Sequence, residues 1–516
     1  MIRKIFGPSK IGGATLIISI TSFLSYALGL LRDKTLAFHF GTTEATDAYN
    51  ASFLIPDILF NFFIASALSA AFLPIFSEFL VKDKEEAKKI ADTMLTGATL
   101  FIAIIATIVF ITLPHIVPVL FQDASATLQI DIIKMTRIML ASAILFAISN
   151  TLGNILMSYR QFTSYALSAV LYNLGIILGI IFLHEKFGIY SAAIGVVIGA
   201  LFHCLIRVID IFTTDYRYTP RLAGNNPHIR KIIKLMIPRS LSLISWQFNL
   251  ILFSIVGITL IEGGFSAFNY ARNFQSFAVN LFGASLATAA FPYLSKALGE
   301  NDQKEYCNQV QQTTERILFF SIPAAVGMLM LSRPLVDMIL GGGEFTENSA
   351  QMTSLILVFF ALSIPFESLS HIFSRAFYAL QDTMTPTKSN IICMAIMAFF
   401  TFFIAPKYGI EWFSIGFTIG FIVYCAMMIF ALRKTLHGFK FRHFFLSLGK
   451  IITASGVMAL IIFCTNNLGD YMPETIATLT RVFIGAGSFF ITALALKSPE
   501  MAQMKSFIKN RNVAQQ

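Results

Sequence analysis

Long apolar segments follow one another along nearly the whole chain, and short polar connections separate them. A helix needs about 20 apolar residues to cross the roughly 30 Å hydrocarbon core of a bilayer. The pattern therefore predicts an all-α polytopic membrane protein with about fourteen transmembrane helices. The predicted spans cover residues 11–36, 46–80, 92–121, 129–159, 163–183, 189–213, 236–260, 264–295, 314–342, 350–379, 387–406, 411–432, 444–466 and 475–497.

Lys and Arg outside the apolar cores of these spans lie almost wholly in every second connection. That set of connections, together with the two ends of the chain, holds 26 of them. The alternate set holds only Lys186, Arg333 and Lys407. Because short connections rich in Lys and Arg stay in the cytoplasm, we expect both termini on the cytoplasmic side.

The composition supports a membrane protein and argues against several other classes. Of 516 residues, 56% are hydrophobic and only 13% are charged, whereas soluble domains carry about 25% charge. The net charge of +10 lies in short loops, so anionic lipid headgroups are the expected partners and nucleic acid is not. The five cysteines lack the spacing of a metal site or a disulfide framework. We expect no metal, no cofactor and no enzymatic activity.

Short matches at a constant offset indicate an internal repeat. Residues 73–80 match 291–298 at an offset of 218, and residues 48–50 match 267–269 at an offset of 219. The offset corresponds to six spans, so the two copies have the same orientation, as in transporters built from parallel repeats. We predict two six-helix lobes and two additional C-terminal helices. The predicted division is an N-terminal lobe (1–213), a basic cytoplasmic linker (214–239), a C-terminal lobe (240–435), and spans 13 and 14 with the tail (436–516).

Polar side chains inside the spans mark candidate sites, because a charge in the membrane costs about 2.5–3.5 kcal/mol on insertion scales. Arg32 and Arg272 come from opposite lobes, and a guanidinium group matches the geometry of phosphate oxygens. We expect this pair to bind an anion. The alternatives are a structural pair of Arg32 with Asp33 or Asp47, and a helix cap at Asp47. The predicted substrate-binding residues are Arg32, Asp33, Asp47, Asn61, Arg272 and Asn273.

Span 10 carries a second group of ionisable residues. Glu367, His371 and Arg375 recur every four residues, which places them on one face of a helix that leads towards Asp382. A histidine between an acid and a base can change protonation near neutral pH. These four residues are predicted to gate the protein or to couple it to a sodium ion or a proton. The alternative is a neutralised polar stripe between packed helices.

Near the cytoplasmic end of span 6, Arg207 and Asp210 interrupt the apolar pattern. Long charged side chains at a span end can extend to the membrane interface. We expect these two residues to do so.

Several sequence strings resemble the MurJ/MviN family. They are Leu31-Arg32-Asp33, Thr46-Asp47-Ala48-Tyr49, Ala71-Phe72-Leu73-Pro74, Phe291-Pro292-Tyr293-Leu294-Ser295, Gly343-Glu344-Phe345-Thr346 and the run from Arg375 to Pro386. The resemblance implies the fourteen-span fold of the multidrug/oligosaccharidyl-lipid/polysaccharide exporter superfamily. It also implies a bacterial inner-membrane flippase that moves lipid II, the polyprenyl-diphosphate-linked peptidoglycan precursor, to the outer leaflet. Arg32, Asp33 and Asp47 match positions that are functionally important in that family.

Other positions depart from the family pattern and leave fewer cations. Family arginines and a glutamate are replaced, and the arginine of span 8 is shifted by one position. The departures are Tyr26, Phe60, Asn61, Ala65, and the pair Arg272-Asn273. Two alternatives to a flippase remain. One is a drug or cation antiporter of the same superfamily, against which Arg32 and Arg272 argue, and the other is a transport-inactive scaffold for envelope assembly, which the missing arginines permit. Other cell-wall synthesis proteins are expected partners.

Overall fold

The computed structural model describes residues 11–61, 67–433 and 440–501, without the side chains of residues 11–19, 67–71 and 237–246. Some of the Lys and Arg counted in the sequence analysis, and Ala65, therefore lie outside the described part. They are Arg3, Lys4, Lys10, Ala65, Lys434, Lys505, Lys509 and Arg511, together with the side chain of Arg239.

Each of the fourteen predicted spans contains at least one helix. In the first half of the chain the helices are α1 (Ile11–Phe40), α2 (Glu44–Ser52), α3 (Leu54–Phe60), α4 (Ala67–Lys82), α5 (Lys84–Leu120), α6 (Ala126–Ser158), α7 (Thr163–Phe187), α8 (Tyr190–Ile211) and α9 (Pro227–Leu260). In the second half they are α10 (Gly264–Ala278), α11 (Ser285–Gly299), α12 (Gln303–Met330), α13 (Ser332–Leu340), α14 (Glu347–Ala379), α15 (Met384–Phe399), α16 (Ala405–Tyr408), α17 (Glu411–Leu432), α18 (Phe441–Cys464) and α19 (Glu474–Ala495).

The predicted all-α membrane fold is confirmed. Within the described ranges, eleven helices are long and apolar enough to cross a membrane, and the only β-type pairing there is an isolated bridge between Gly342 and Phe345. The total of fourteen spans stays a prediction.

Two π-helical turns are complete within the described residues. Val279–Ala284 joins α10 to α11, and Phe400–Ile404 joins α15 to α16. The first turn includes Gly283, where a Cβ atom would lie only 2.6 Å from the Cα atom of Ser368. Glycine is needed there because the two backbones approach so closely.

The chain divides into two compact units. The first contains Met1–Ser266 and Gly342–Thr346, and the second contains Ala267–Gly341 and Glu347–Gln516. Helix α9 belongs to the first unit because it packs against α2, α3, α4 and α5. This boundary differs from the sequence-based divisions at 213 and 240, and the assignment of spans to lobes by the repeat stays a prediction.

Helices α7 and α8 of the first unit are in direct backbone contact through glycines. A Cβ atom at Gly175 would lie 2.3 Å from the Cα atom of Gly199, and one at Gly179 would lie 2.3 Å from the Cα atom of Gly195. Each helix thus presents two glycines four residues apart. Helices in membranes associate mainly by such close packing, because lipid provides no hydrophobic driving force between them.

Candidate functional site

In the first unit, Arg32 is the centre of a small polar group. Its Nε and Nη2 atoms donate to Oδ1 of Asp33 at 3.1 and 2.7 Å, and its Nη1 atom lies 3.4 Å from Oδ1 of Asn173 on α7. The Asn173 side-chain nitrogen in turn lies 3.3 Å from the carbonyl oxygen of Ser25. The ion pair between Arg32 and Asp33, which the sequence left open as an alternative, is present.

This ion pair leaves Arg32 partly accessible. Its side chain is 25% exposed, whereas that of Asp33 is 6% exposed. A guanidinium group has five N–H donors, and the described hydrogen bonds to Asp33 and Asn173 use three of them. The ion pair with Asp33 thus does not use all the donors of the group, and the role of Arg32 in anion binding stays a prediction.

Asp47 is buried, with 1% exposure, and it caps a helix that is distant in sequence. Its Oδ1 atom accepts hydrogen bonds of 2.7 Å from both the backbone N–H and the hydroxyl of Ser266, in the first turn of α10. Asn50 also donates to the Ser266 hydroxyl, at 3.0 Å. The N-cap of its own helix α2 is Thr43. Asp47 is thus a cap, as one alternative predicted, but of another helix.

Asn61 directly follows α3 and is half-buried. The next five residues, 62–66, lie outside the described part of the chain. Its predicted role in substrate binding stays a prediction.

In the second unit, Arg272 forms an ion pair with Glu367. Nη1 and Nη2 of Arg272 lie 3.2 and 3.4 Å from the two carboxylate oxygens of Glu367. Gln275 joins both groups, because its side-chain oxygen accepts from Arg272 at 3.0 Å and its nitrogen donates to Glu367 at 2.5 Å. The guanidinium group also lies over the ring of Phe417, 4.4 Å from its centroid. Asn273, the next residue after Arg272, is half-buried.

The three predicted gating residues of span 10 lie on one uninterrupted helix, α14. Glu367 is held by Arg272, whereas Arg375 donates to the hydroxyl of Thr288 on α11 at 2.7 Å and to the backbone oxygen of His371 at 3.2 Å. The two charged members of the stripe therefore have different partners. The role of all three in gating or ion coupling stays a prediction.

Asp382 caps helix α15. Its Oδ1 atom accepts from the backbone N–H groups of Met384 and Thr385 at 2.9 and 3.0 Å, and Oδ2 accepts from the Thr385 hydroxyl at 2.6 Å. These hydrogen bonds lower the pKa of Asp382 below its ordinary value. The carboxylate stabilises the turn between α14 and α15, the region in which the sequence predicts a gate.

For Arg207 the prediction of a side chain that extends to the interface is wrong. Arg207 is 3% exposed and donates to the backbone oxygen of Ser149, to Oδ1 of Asn150 and to the hydroxyl of Ser168 at 2.9, 3.1 and 2.9 Å. Asp210 is also buried, with 1% exposure. The reason is that α6 and α7 offer acceptors within reach, so the guanidinium group joins three helices.

The partners of the candidate residues that the sequence analysis missed include Asn173, Ser266 and Gln275. Asn173 is a polar residue within an apolar run, and Ser266 stands 219 positions after Asp47, which is the repeat offset. Gln275 is one helical turn after Arg272. Each signal was present, but none indicated which side chain it would meet.

Comparisons with known proteins agree with the resemblance seen in the sequence. The family model described as "Lipid II flippase MurJ" matches residues 36–480. The chain is similar to the "Lipid II flippase MurJ" of Burkholderia cenocepacia, with 26% identity over 434 residues that cover 82% of this chain and 83% of the relative. It is also similar to the "Probable lipid II flippase MurJ" of Thermotoga maritima, with 24% identity over 498 residues that cover 95% and 98% of the two chains.

Solved structures lead to the same assignment. A lipid II flippase MurJ in an inward closed conformation matches with a TM-score of 0.79 and 27% identity, over 93% of this chain and 98% of that one. An inward-facing multidrug resistance transporter of the MATE family, described as a member of the MOP superfamily, matches with a TM-score of 0.67 and 20% identity, over 83% and 99% of the two chains, which shows a shared fold. Since the family model covers most of the sequence, this chain belongs to the MurJ family of lipid II flippases.

Proposed function

We propose that this chain carries lipid II from the inner to the outer leaflet of the bacterial inner membrane, by alternating access, for peptidoglycan synthesis. Membership of the family supports this substrate and favours a flippase over the antiporter and the scaffold. The function is transport, and no bond of the substrate is made or broken. Lipid II needs a protein path because its diphosphate and sugar headgroup is costly to move through hydrocarbon.

Arg32 is the residue that we expect to hold the diphosphate. The observation that carries this proposal is its partly exposed side chain, whose guanidinium group has donors beyond those used by the described hydrogen bonds while Asp33 fixes its orientation. Two N–H groups on one planar fork can bind two phosphate oxygens. The inside-negative membrane potential then favours outward movement of the anion by ~2.3 kcal/mol per charge per 100 mV.

We expect Arg272 to do more than bind the anion directly, which is the role that the sequence predicted. It already faces a carboxylate, Glu367, at 3.2 Å, so a phosphate has to compete with that carboxylate for the guanidinium group. We expect the competition to release Glu367, which then takes up the coupling ion, a sodium ion or a proton. Binding of substrate and binding of the ion would thereby depend on each other.

A transport assay tests the role of Arg32. We expect Arg32→Ala to abolish the rescue of cells depleted of their own lipid II flippase, and to abolish the appearance of lipid II in the outer leaflet. Arg32→Lys should rescue only in part, because an ammonium group supplies the charge without the planar fork. Lys34→Ala, two positions away on the same helix, is the matched control and should transport normally.

Two outcomes would contradict the proposal. Normal outer-leaflet lipid II with Arg32→Ala, at the same membrane level as the unmodified protein, would show that the diphosphate is bound elsewhere. If the unmodified chain failed to restore outer-leaflet lipid II, the flippase function itself would be refuted, and drug export would be the next activity to measure.

A further inference from the structure

A groove of about 370 Å³ opens in the first unit, between three membrane-spanning helices and the segment that follows α8. Its walls are apolar along α5, α6 and α8, and polar side chains lie near the end formed by residues 216–218. The lining residues are Leu95, Thr96, Thr99, Leu100, Ile148, Leu152, Val208, Ile211, Phe212, Tyr216, Arg217 and Tyr218. According to the distribution of Lys and Arg along the sequence, this end of the three helices faces the cytoplasm.

Hydrogen bonds hold the segment after α8 across the polar end of the groove. Asp92 of α5 accepts from the hydroxyl of Tyr216 at 2.7 Å and from the backbone N–H of Thr219 at 3.2 Å. The hydroxyls of Tyr218 and Thr96 lie 2.9 Å apart. Burial, and then the hydrogen bond to Asp92, raise the pKa of Tyr216 above its ordinary value, so this hydroxyl remains a donor. The polar end of the groove therefore has a defined shape.

The same segment combines positive charge with exposed apolar side chains. Arg217 lines the groove, and its guanidinium group is held in place by the backbone oxygens of Thr214 and Tyr216, each at 2.7 Å. Phe212 and Leu222 nevertheless remain 63% and 64% exposed. Apolar and aromatic side chains beside arginines are typical of a segment that lies in the membrane interface.

We propose that this groove binds one acyl chain of an anionic glycerophospholipid of the inner leaflet, with the phosphate headgroup at Arg217. The apolar walls suit a hydrocarbon chain, and the fixed guanidinium group at the cytoplasmic end suits a phosphate in a leaflet rich in anionic lipid. The residues of this site are separate from Arg32, Asp47 and Arg272. A bound lipid would brace the segment after α8 against α5.

Lipid binding to the purified full chain in detergent tests the proposal. Native mass spectrometry would compare phosphatidylglycerol with phosphatidylcholine of the same acyl chains. The unmodified protein should retain phosphatidylglycerol more tightly. Arg217→Gln should weaken that binding about fivefold, the effect of one arginine near an anionic surface, and should weaken phosphatidylcholine binding clearly less, because the choline group already neutralises the charge of the phosphate. Arg433→Gln is the matched control. The guanidinium group of Arg433 lies over the ring of Phe430, as that of Arg217 lies over the ring of Phe212, but Arg433 does not line the groove.

The acyl-chain part of the proposal has its own test. Thr99→Phe fills the groove from α5 and should weaken the binding of both lipids, and Val208→Phe does the same from α8 if the first variant does not fold. Equal retention of both lipids by the unmodified protein, or no effect of the groove-filling variant, would overturn the site. Displacement of phosphatidylglycerol by equimolar undecaprenyl diphosphate would assign the groove to the transported lipid instead.

Discussion

Asp47 and Ser266 stand 219 residues apart, which is the offset of the predicted repeat, and they are hydrogen-bonded to each other. The Asp47 carboxylate accepts from the Ser266 backbone N–H and hydroxyl, each at 2.7 Å. The first turn of a helix is a favourable site for a carboxylate, because its N–H groups lack partners within the helix. These hydrogen bonds explain why an acidic residue, Asp47, is buried in an otherwise apolar span.

Removal of this cap should destabilise the protein. Asp47→Ala leaves the first turn of α10 without its acceptor, and loss of a cap typically lowers the free energy of unfolding by about 0.5–2 kcal/mol. Asp47→Asn retains a side-chain oxygen and should lose clearly less. The measurement is the midpoint of thermal unfolding in detergent. Equal midpoints for Asp47→Ala and the unmodified protein would show that the contact contributes no stability.

The Arg272–Glu367 pair should behave as a unit. Glu367→Gln removes the counter-charge at 3.2 Å from Arg272, and breaking a buried pair on one side costs about 3–5 kcal/mol, whereas removing both charges costs much less. The two side chains are 18% and 12% exposed, so solvent reduces the effect. We expect the double variant Arg272→Gln/Glu367→Gln to unfold at a higher temperature than either single variant. Additive losses would mean that the two charges are not coupled.

The glycines between α7 and α8 should tolerate no side chain. Gly179→Ala places a methyl group within 2.3 Å of Gly195, so the helices must separate and lose packing. Gly487→Ala in α19 is the matched control, because a Cβ atom there meets no atom within 4 Å. The control should be neutral or slightly stabilising, since alanine favours a helix by about 1 kcal/mol over glycine. Size-exclusion profiles after heating would reveal the difference, and identical profiles would contradict it.

His371 provides a test of the predicted pH-sensitive latch. His371→Gln should keep the fold but flatten the pH dependence of transport between about pH 6 and 8, the range in which an imidazole titrates. The charged groups that act on His371 are Glu367 and Arg375 on the same helix and Arg272 on α10. A glutamine variant with the pH profile of the unmodified protein would leave the stripe as helix packing only.

The orientation predicted from the distribution of Lys and Arg can be tested by labelling. Single cysteines at Asn225 and Leu468, in a background without the five native cysteines, should react with an impermeant thiol reagent from opposite sides of the membrane. Asn225 should be labelled only after the membrane is opened, because we place it in the cytoplasm. Labelling of both positions in intact cells would refute the topology.

The membrane-spanning architecture was readable from the sequence. Apolar runs such as 163–183 are long enough to cross hydrocarbon, and the helix observed there, Thr163–Phe187, extends them by only a few residues. The bilayer core offers no water to the backbone N–H and C=O groups, so a single apolar run satisfies them by forming a helix. The family strings around Arg32, Asp47 and Arg375 likewise indicated the flippase family from local patterns alone.

The partner of each polar side chain was decided by tertiary structure. The sequence places Arg207 near a span end, but it does not show that Ser149 and Ser168 on other helices lie within 2.9 Å of its nitrogens. Likewise, the alternation of polar and apolar residues cannot indicate that Asp47 caps a helix 219 residues away or that Glu367 faces Arg272. Hydropathy depends on the residue type alone, whereas a hydrogen bond depends on the distance between two atoms, which only helix packing sets.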